Sequence, residues 1–230
     1  MATWFNLYSF DVMGDLAFGE SYNMLESGEM HWSLKILREG MDPFGFNFST
    51  WFFRLLSVIP GASAGFFKFV SYCNQQLDDR MKIDKMGNPD VMSTLLEHHR
   101  RNSSHDAAEL RMLQGDSRLI IVAGSDTIAA TLVHLFYHLA RDPSLVQNLR
   151  HELSRLMEKD GSVHSAKLAD AKFLNGVINE TLRLHPPVPS GVFRDTPAEG
   201  VYIKDTFVPG HTTVRMPQWA MARGEFARPL

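Results

Sequence analysis

One cysteine, Cys73, is all that the 230 residues contain. A single thiol excludes an internal disulfide framework and any zinc cluster built on paired cysteines. It fits a reducing, cytosol-facing compartment. Runs of Lys or Arg are also missing, and the formal net charge is -3. Nothing electrostatic therefore recommends a nucleic acid as partner. The first residues show no basic stretch followed by an apolar run, so they read neither as a signal peptide nor as a membrane anchor. Internal repeats and low-complexity tracts are absent. What is there is the composition of a globular protein, 44% hydrophobic and 21% charged, in a chain long enough to bury a sizeable core.

The first two-thirds read as helical. Residues 9–19 look like the interior of a packed helix, and a chain that starts in mid-helix suggests a missing front end. Apolar residues recur at helical spacing over residues 32–38 and 52–58, with breaks around Pro43 and at Pro60 and Gly61. Gly87, Asn88 and Pro89 form another break, after which Asp90 is an expected N-cap for a helix over residues 91–98. Residues 119–140 are the most apolar stretch and carry one formal charge, Asp126. Such a helix is either central to a core or crosses a membrane. Asp126, His134 and His138 would be costly in lipid, which favours the core. Asp142 and Pro143 end this helix and start another, in which Leu145, Leu149 and Leu153 repeat at four-residue spacing. A third helix spans residues 171–184, with Leu174, Val177, Ile178 and Leu182 on one face, and Pro186 and Pro187 stop it. Beyond Pro189 the pattern changes to short strands: residues 191–194, residues 201–203, and a hairpin of residues 206–208 and 212–214 around Pro209 and Gly210. The expected fold is mainly α with a small antiparallel β portion: one domain over 1–230, helical over 1–187, with the β portion over 188–215.

Two constellations carry chemistry. Inside the apolar helix lie Ala123, Gly124, Ser125, Asp126 and Thr127. Glycine in a helix interior costs about 1 kcal/mol relative to alanine, so Gly124 asks for a reason. A small residue admits a close neighbour, and the acid and hydroxyl beside it offer a proton donor and relay; a tolerated kink with a solvated Asp is the other reading. The second constellation is Glu180, Thr181, Leu182 and Arg183. Glu180 and Arg183, three apart, are helix neighbours and can pair. Exposed, such a pair is worth little; buried, breaking it is costly.

Ala-Gly-x-Asp-Thr in a long helix, then Glu-x-x-Arg followed by Leu-His-Pro-Pro, then a small sheet, resembles the cytochrome P450 family of heme-thiolate monooxygenases. The resemblance covers essentially the whole chain, and the segment from Phe10 to Gly19 is similar to fungal members that act in secondary metabolism. The expected fold is then a partial P450 fold.

Several roles follow from that resemblance. It implies heme as cofactor, with Asp126 and Thr127 handling protons for the oxygen chemistry. Ala123 and Gly124, with Thr127, would leave room beside the heme, and Arg194 would pair with a heme propionate or else be a surface arginine. Glu180 and Arg183 would form the structural core pair. Val188 and Val192 would line the pocket of a small apolar substrate, under an aromatic-rich roof over residues 44–82. Electrons would come from NADPH through NADPH-cytochrome P450 reductase, and the intact relative would be anchored at the cytosolic face of the endoplasmic reticulum membrane. The family's iron ligand is a cysteine in a Phe-x-x-Gly-x-x-x-Cys loop, which does not occur here. Cys73 stands in the wrong region, so no metal ligand is assigned. The expectation is a piece truncated at both ends and inactive alone, with residues 224–230 compressed against the family pattern. The alternative is a non-catalytic helical fragment that binds a partner or an apolar ligand.

Overall fold

The structure, a computed structural model, describes residues 1–32, 34–35, 64–83, 90–101 and 107–224. The helix expected at residues 52–58, most of that at 32–38, the breaks around Pro43, Pro60 and Gly87, the aromatic roof ahead of Ala64 and nearly all of residues 224–230 lie outside them. In chain order the elements are α1 (Ala2–Phe18), α2 (Met24–Ser27), α3 (Ala64–Lys82), α4 (Val91–Arg101), α5 (Ala107–Arg141), α6 (Pro143–Ser154), α7 (Ser165–Ala169), α8 (Lys172–Leu184), β1 (Phe193–Asp195), β2 (Val201–Ile203), β3 (Thr206–Val208), β4 (Thr213–Arg215) and α9 (Gln218–Met221). They gather into two compact units, Met1–Ala129 and Ala130–Leu230. Helix α5 begins in the first and ends in the second.

In the first unit, apolar residues at three- and four-residue spacing bury one face of each helix. On α3 these are Phe69, Tyr72, Cys73 and Leu77; on α4, Met92 and Leu96. On α5 a single stripe at four-residue spacing is buried: Leu113, Ser117, Ile121, Ser125 and Ala129. With Leu7, Phe10, Phe18 and Met24 from α1 and α2, most of these close one core. Two carboxylates fix the geometry. Asp11 accepts from the backbone N–H groups of Met24 (3.0 Å) and Leu25 (2.8 Å), a buried anion at the start of α2. Asp90 caps α4 by accepting from the Ser93 N–H at 2.5 Å, and it also pairs with Arg80 at 2.9 Å. The cap follows the sequence reading.

Helix α5 is longer than the apolar stretch, because its first turns are good helix formers such as Ala107, Ala108, Glu109 and Leu110. It is long and apolar enough to cross a membrane, with a mean hydropathy of 1.8 over its best window. Its buried stripe nevertheless lies in the core of the first unit. The helix is not covered all round: Leu119 is 63% and Ile128 48% exposed.

In the second unit, Asp142 caps α6 by accepting from Ser144 N–H at 2.9 Å, with Pro143 at the first helical position. Glu152 of α6 accepts from Phe173 N–H (2.9 Å) and Leu174 N–H (2.8 Å) at the start of α8. The negative charge meets the positive end of the helix dipole there.

Strand pairing differs from the expected hairpin around Pro209 and Gly210. β2 pairs with β3 and β1 with β4, all antiparallel. Lys204 takes a positive φ of 52°, the backbone that tight two-residue hairpin turns require at their first central position. Pro209 and Gly210 instead lie in a loop pinned by Thr196, which donates to the Pro209 carbonyl at 2.6 Å and accepts from Thr212 N–H at 2.9 Å. That pin turns β4 toward β1.

Gly191 closes the entry to β1 with φ 73°, and a Cβ there would stand 1.9 Å from the Met216 carbonyl oxygen. Gly191→Ala is therefore expected to separate the β1–β4 pair. Amide exchange at Arg194 and Val214 would rise at least about tenfold, since left-handed strain alone costs about 1–2 kcal/mol. Unchanged exchange at both amides contradicts the assignment.

Candidate functional site

The motif Ala123–Thr127 sits on two opposite faces of α5. Ser125 is fully buried and donates to the Ile121 carbonyl. Gly124 turns toward α1, where an added Cβ would come within 2.3–3.0 Å of three Met13 side-chain atoms. The space the glycine leaves on that side is filled by the Met13 side chain of α1. Ala123 is exposed and Thr127 half-buried, on the other face. They lie one turn apart, with Leu119 a turn further back. Thr127 Oγ1 donates to the Ala123 carbonyl at 2.6 Å, which holds the hydroxyl against the helix. Asp126 is exposed at the edge of this face.

The other sequence candidates belong to the second unit. Arg183 holds Glu180 in a two-pronged pair, Nε to Oε2 at 2.7 Å and Nη2 to Oε1 at 2.6 Å. Its remaining nitrogen, Nη1, donates to the Ala222 carbonyl at 2.6 Å. The hydrogen bonds from Arg183 keep the Glu180 carboxyl below its ordinary range against the opposing effect of burial, and the Arg183 guanidinium is raised in turn, chiefly by its hydrogen bond to Glu180. The pair lies between the exposed and buried readings, with side chains 28% and 46% exposed. Its weight comes from the third hydrogen bond, which ties α8 to the segment after α9. Arg223 adds a second tie by donating to the Leu184 carbonyl. Arg194 is exposed on β1 and donates to the Phe193 carbonyl at 2.9 Å. Val188 is half-buried and Val192 exposed.

A family model described as Cytochrome P450 matches residues 1–230. The chain belongs to the cytochrome P450 family. Among its relatives, a tryprostatin B 6-hydroxylase of Aspergillus fumigatus is 43% identical over 229 residues, covering 99% of this chain and 40% of that protein. The cytochrome P450 monooxygenase notG' of Aspergillus versicolor is 42% identical, over 99% of this chain and 42% of the relative. The chain thus spans about two fifths of the length of these curated relatives. A crystal structure of a cytochrome P450, 19% identical, superimposes with a TM-score of 0.74 over 100% of this chain and 54% of that one. The mainly helical architecture with small antiparallel sheets is accordingly a partial P450 fold.

Membership of the P450 family implies a heme iron. On α5 the residues present fit such a group: Leu119, Ala123 and Thr127 make an open face of apolar and small side chains bearing one hydroxyl, against which a planar macrocycle can pack. The axial position is different. Cys73 lies in α3 at 0% exposure, and burial pushes its thiol up to about 12, so it does not fit the thiolate ligand.

Sequence reasoning missed Met13, Asp11 and Glu152. Each acts on an element distant in sequence, whereas capping and packing signals are read locally.

Proposed function

We propose that this chain, as one domain over residues 1–230, supplies the oxygen-handling face and the Glu-x-x-Arg scaffold of a monooxygenase of fungal secondary metabolism. The reaction inserts one oxygen atom from O2 into a C–H bond of a small apolar molecule. Electrons come from NADPH through NADPH-cytochrome P450 reductase, and the intact protein works at the cytosolic face of the endoplasmic reticulum membrane. Heme, when bound, supplies the activation of O2.

The observation that carries this reading is the placing of Ala123 and Thr127 side by side on the open face of α5. Ala123 keeps that face low. Thr127 holds a proton at its Oγ1, and Asp126 passes protons in from its exposed edge. Gly124 backs the same helix from behind, leaving the space that the Met13 side chain fills. Arg194, a planar fork on an exposed strand, is suited to a heme propionate. Val188 and Val192 line the substrate side.

The test measures product and hydrogen peroxide formed per NADPH in the intact protein, loaded with heme and coupled to the reductase. Asp126→Asn is expected to lower product formation about 10²-fold or more, the scale of a lost proton-transfer group. Thr127→Val is expected to divert electrons into peroxide. Wild-type product yields in both variants would sink the assignment. A second reading, a non-catalytic helical piece that binds a partner or an apolar ligand, is favoured for the isolated 230 residues by the burial of Cys73.

A further inference from the structure

Three imidazoles meet in the second unit. His134 and His138 stand one turn apart near the end of α5, and His185 follows the last residue of α8. The rings of His134 and His185 stack at 4.2 Å with an interplanar angle of 13°. His138 Nε2 lies 2.9 Å from His185 Nε2, with ring centroids 5.1 Å apart. That separation is close to the nitrogen–nitrogen distance plus two ring radii, so the nitrogens face each other head-on. Between them there is room for one proton: one ring donates N–H and the other accepts with its lone pair. A metal held head-on at about 2.0–2.1 Å from each nitrogen would need them about 4 Å apart. His134 Nδ1 lies 2.8 Å from the Ala130 carbonyl, which can only accept, so this nitrogen carries a proton.

We propose that His138 and His185 form a one-proton clamp between the end of α5 and the end of α8, and that uptake of a second proton opens it. With both nitrogens protonated, two N–H groups would point at each other at 2.9 Å, and two cations would share one stack with His134. The surrounding cations oppose that state. Tyr137 meets His138 edge-on at 5.4 Å, and Arg141 lies over Tyr137. Arg223 lies close enough to His185 to disfavour its charge, and Lys172 shares with His138 the groove between α6 and α8. Glu180, the carboxylate on this groove, attracts a charge on His138, but Arg183 already engages both of its oxygens.

The direction of the pH dependence follows. Burial, then His134, His138 and Arg223, lower the proton affinity of His185 below the ordinary value of 6.5. The folded state therefore binds fewer protons than the unfolded one below that pH. The clamp's contribution is complete above pH 6.5 and is lost as the pH falls. What it releases is the end of α8, with the Arg183 ties and the double proline that follows.

The test is a histidine ¹⁵N NMR titration of the full chain from about pH 8 to pH 5, with amide exchange of residues 182–185 followed in parallel. At neutral pH one of His138 and His185 is expected as the Nε2–H form and the other as the Nδ1–H form. The pair should take its second proton at lower pH than the exposed His164, with exchange over residues 182–185 quickening about tenfold. Titration of both rings together with His164 overturns the proposal. His185→Gln keeps a donor and takes no proton, so it should abolish the acid-dependent quickening and leave neutral-pH exchange within about twofold. If that variant still loosens in acid, the proposal also fails.

Discussion

Replacing Arg80 by methionine is expected to lower the stability of the chain by about 3–5 kcal/mol, measured as the shift in urea midpoint at neutral pH. Arg80 and Asp90 have side chains only 6% and 2% exposed. The guanidinium reaches Asp90 Oδ2 at 2.9 Å and Oδ1 at 3.2 Å, Ser93 Oγ at 2.8 Å and the Ile83 carbonyl at 3.1 Å. It thereby joins the end of α3 to the start of α4. Removing it leaves a carboxylate out of water without its counter-charge, and that is the source of the cost. Replacing both partners, Arg80→Met with Asp90→Leu, should restore most of the loss, since an apolar pair needs no solvation. A deficit of about 1 kcal/mol should persist, because Asp90 is also the cap of α4. Equal losses in the single and double variants would show that the pair is not the cause.

The same pair sets an acid limit. Burial disfavours the Asp90 anion, but hydrogen bonds from Arg80 and Ser93 outweigh that and hold the carboxyl below its ordinary 3.8. A depressed carboxyl contributes stability that is complete above the unfolded value and is lost as pH falls through the folded one. Asp90 therefore acts below pH 4, well apart from the window of the histidine clamp.

Much of this was legible in the residues, and the exceptions share a cause. The apolar period of α5, the Asp142–Pro143 junction and the span of α8 are local signals and were readable as such. The Ala123–Thr127 motif was legible as a small residue beside an acid and a hydroxyl. What could not be read was the division of labour within it, with Gly124 against Met13 and Ala123 on the open face. No periodicity records which element a helix face meets. Asp90 was readable as a cap, but not as the partner of Arg80 ten residues earlier. The hairpin was misplaced because Pro209 and Gly210 are stronger turn signals than Lys204 and Asp205. The choice was made by a side chain far back in the loop, Thr196.

The 230-residue chain, supplied with heme, reduced and exposed to carbon monoxide, is expected to show no red-shifted Soret band of a thiolate-ligated complex. Cys73 is the chain's one cysteine. It is fully buried among the core residues of the first unit, and burial pushes its thiol up to about 12. At pH 7 such a thiol stays protonated. Reaching an iron would also require opening α3 away from Phe69, Tyr72 and Leu77, each a core residue worth about 1.5–3 kcal/mol of burial. A neutral imidazole can bind heme iron instead, but it does not donate the electron density that drives oxygen–oxygen cleavage. A band of the imidazole type, or none, is the expected spectrum, unchanged in Cys73→Ser. A thiolate-type band that disappears in Cys73→Ser would mean that α3 rearranges to bring its thiol to the iron. With the expected spectrum, Cys73 is ruled out as a thiolate ligand of the iron.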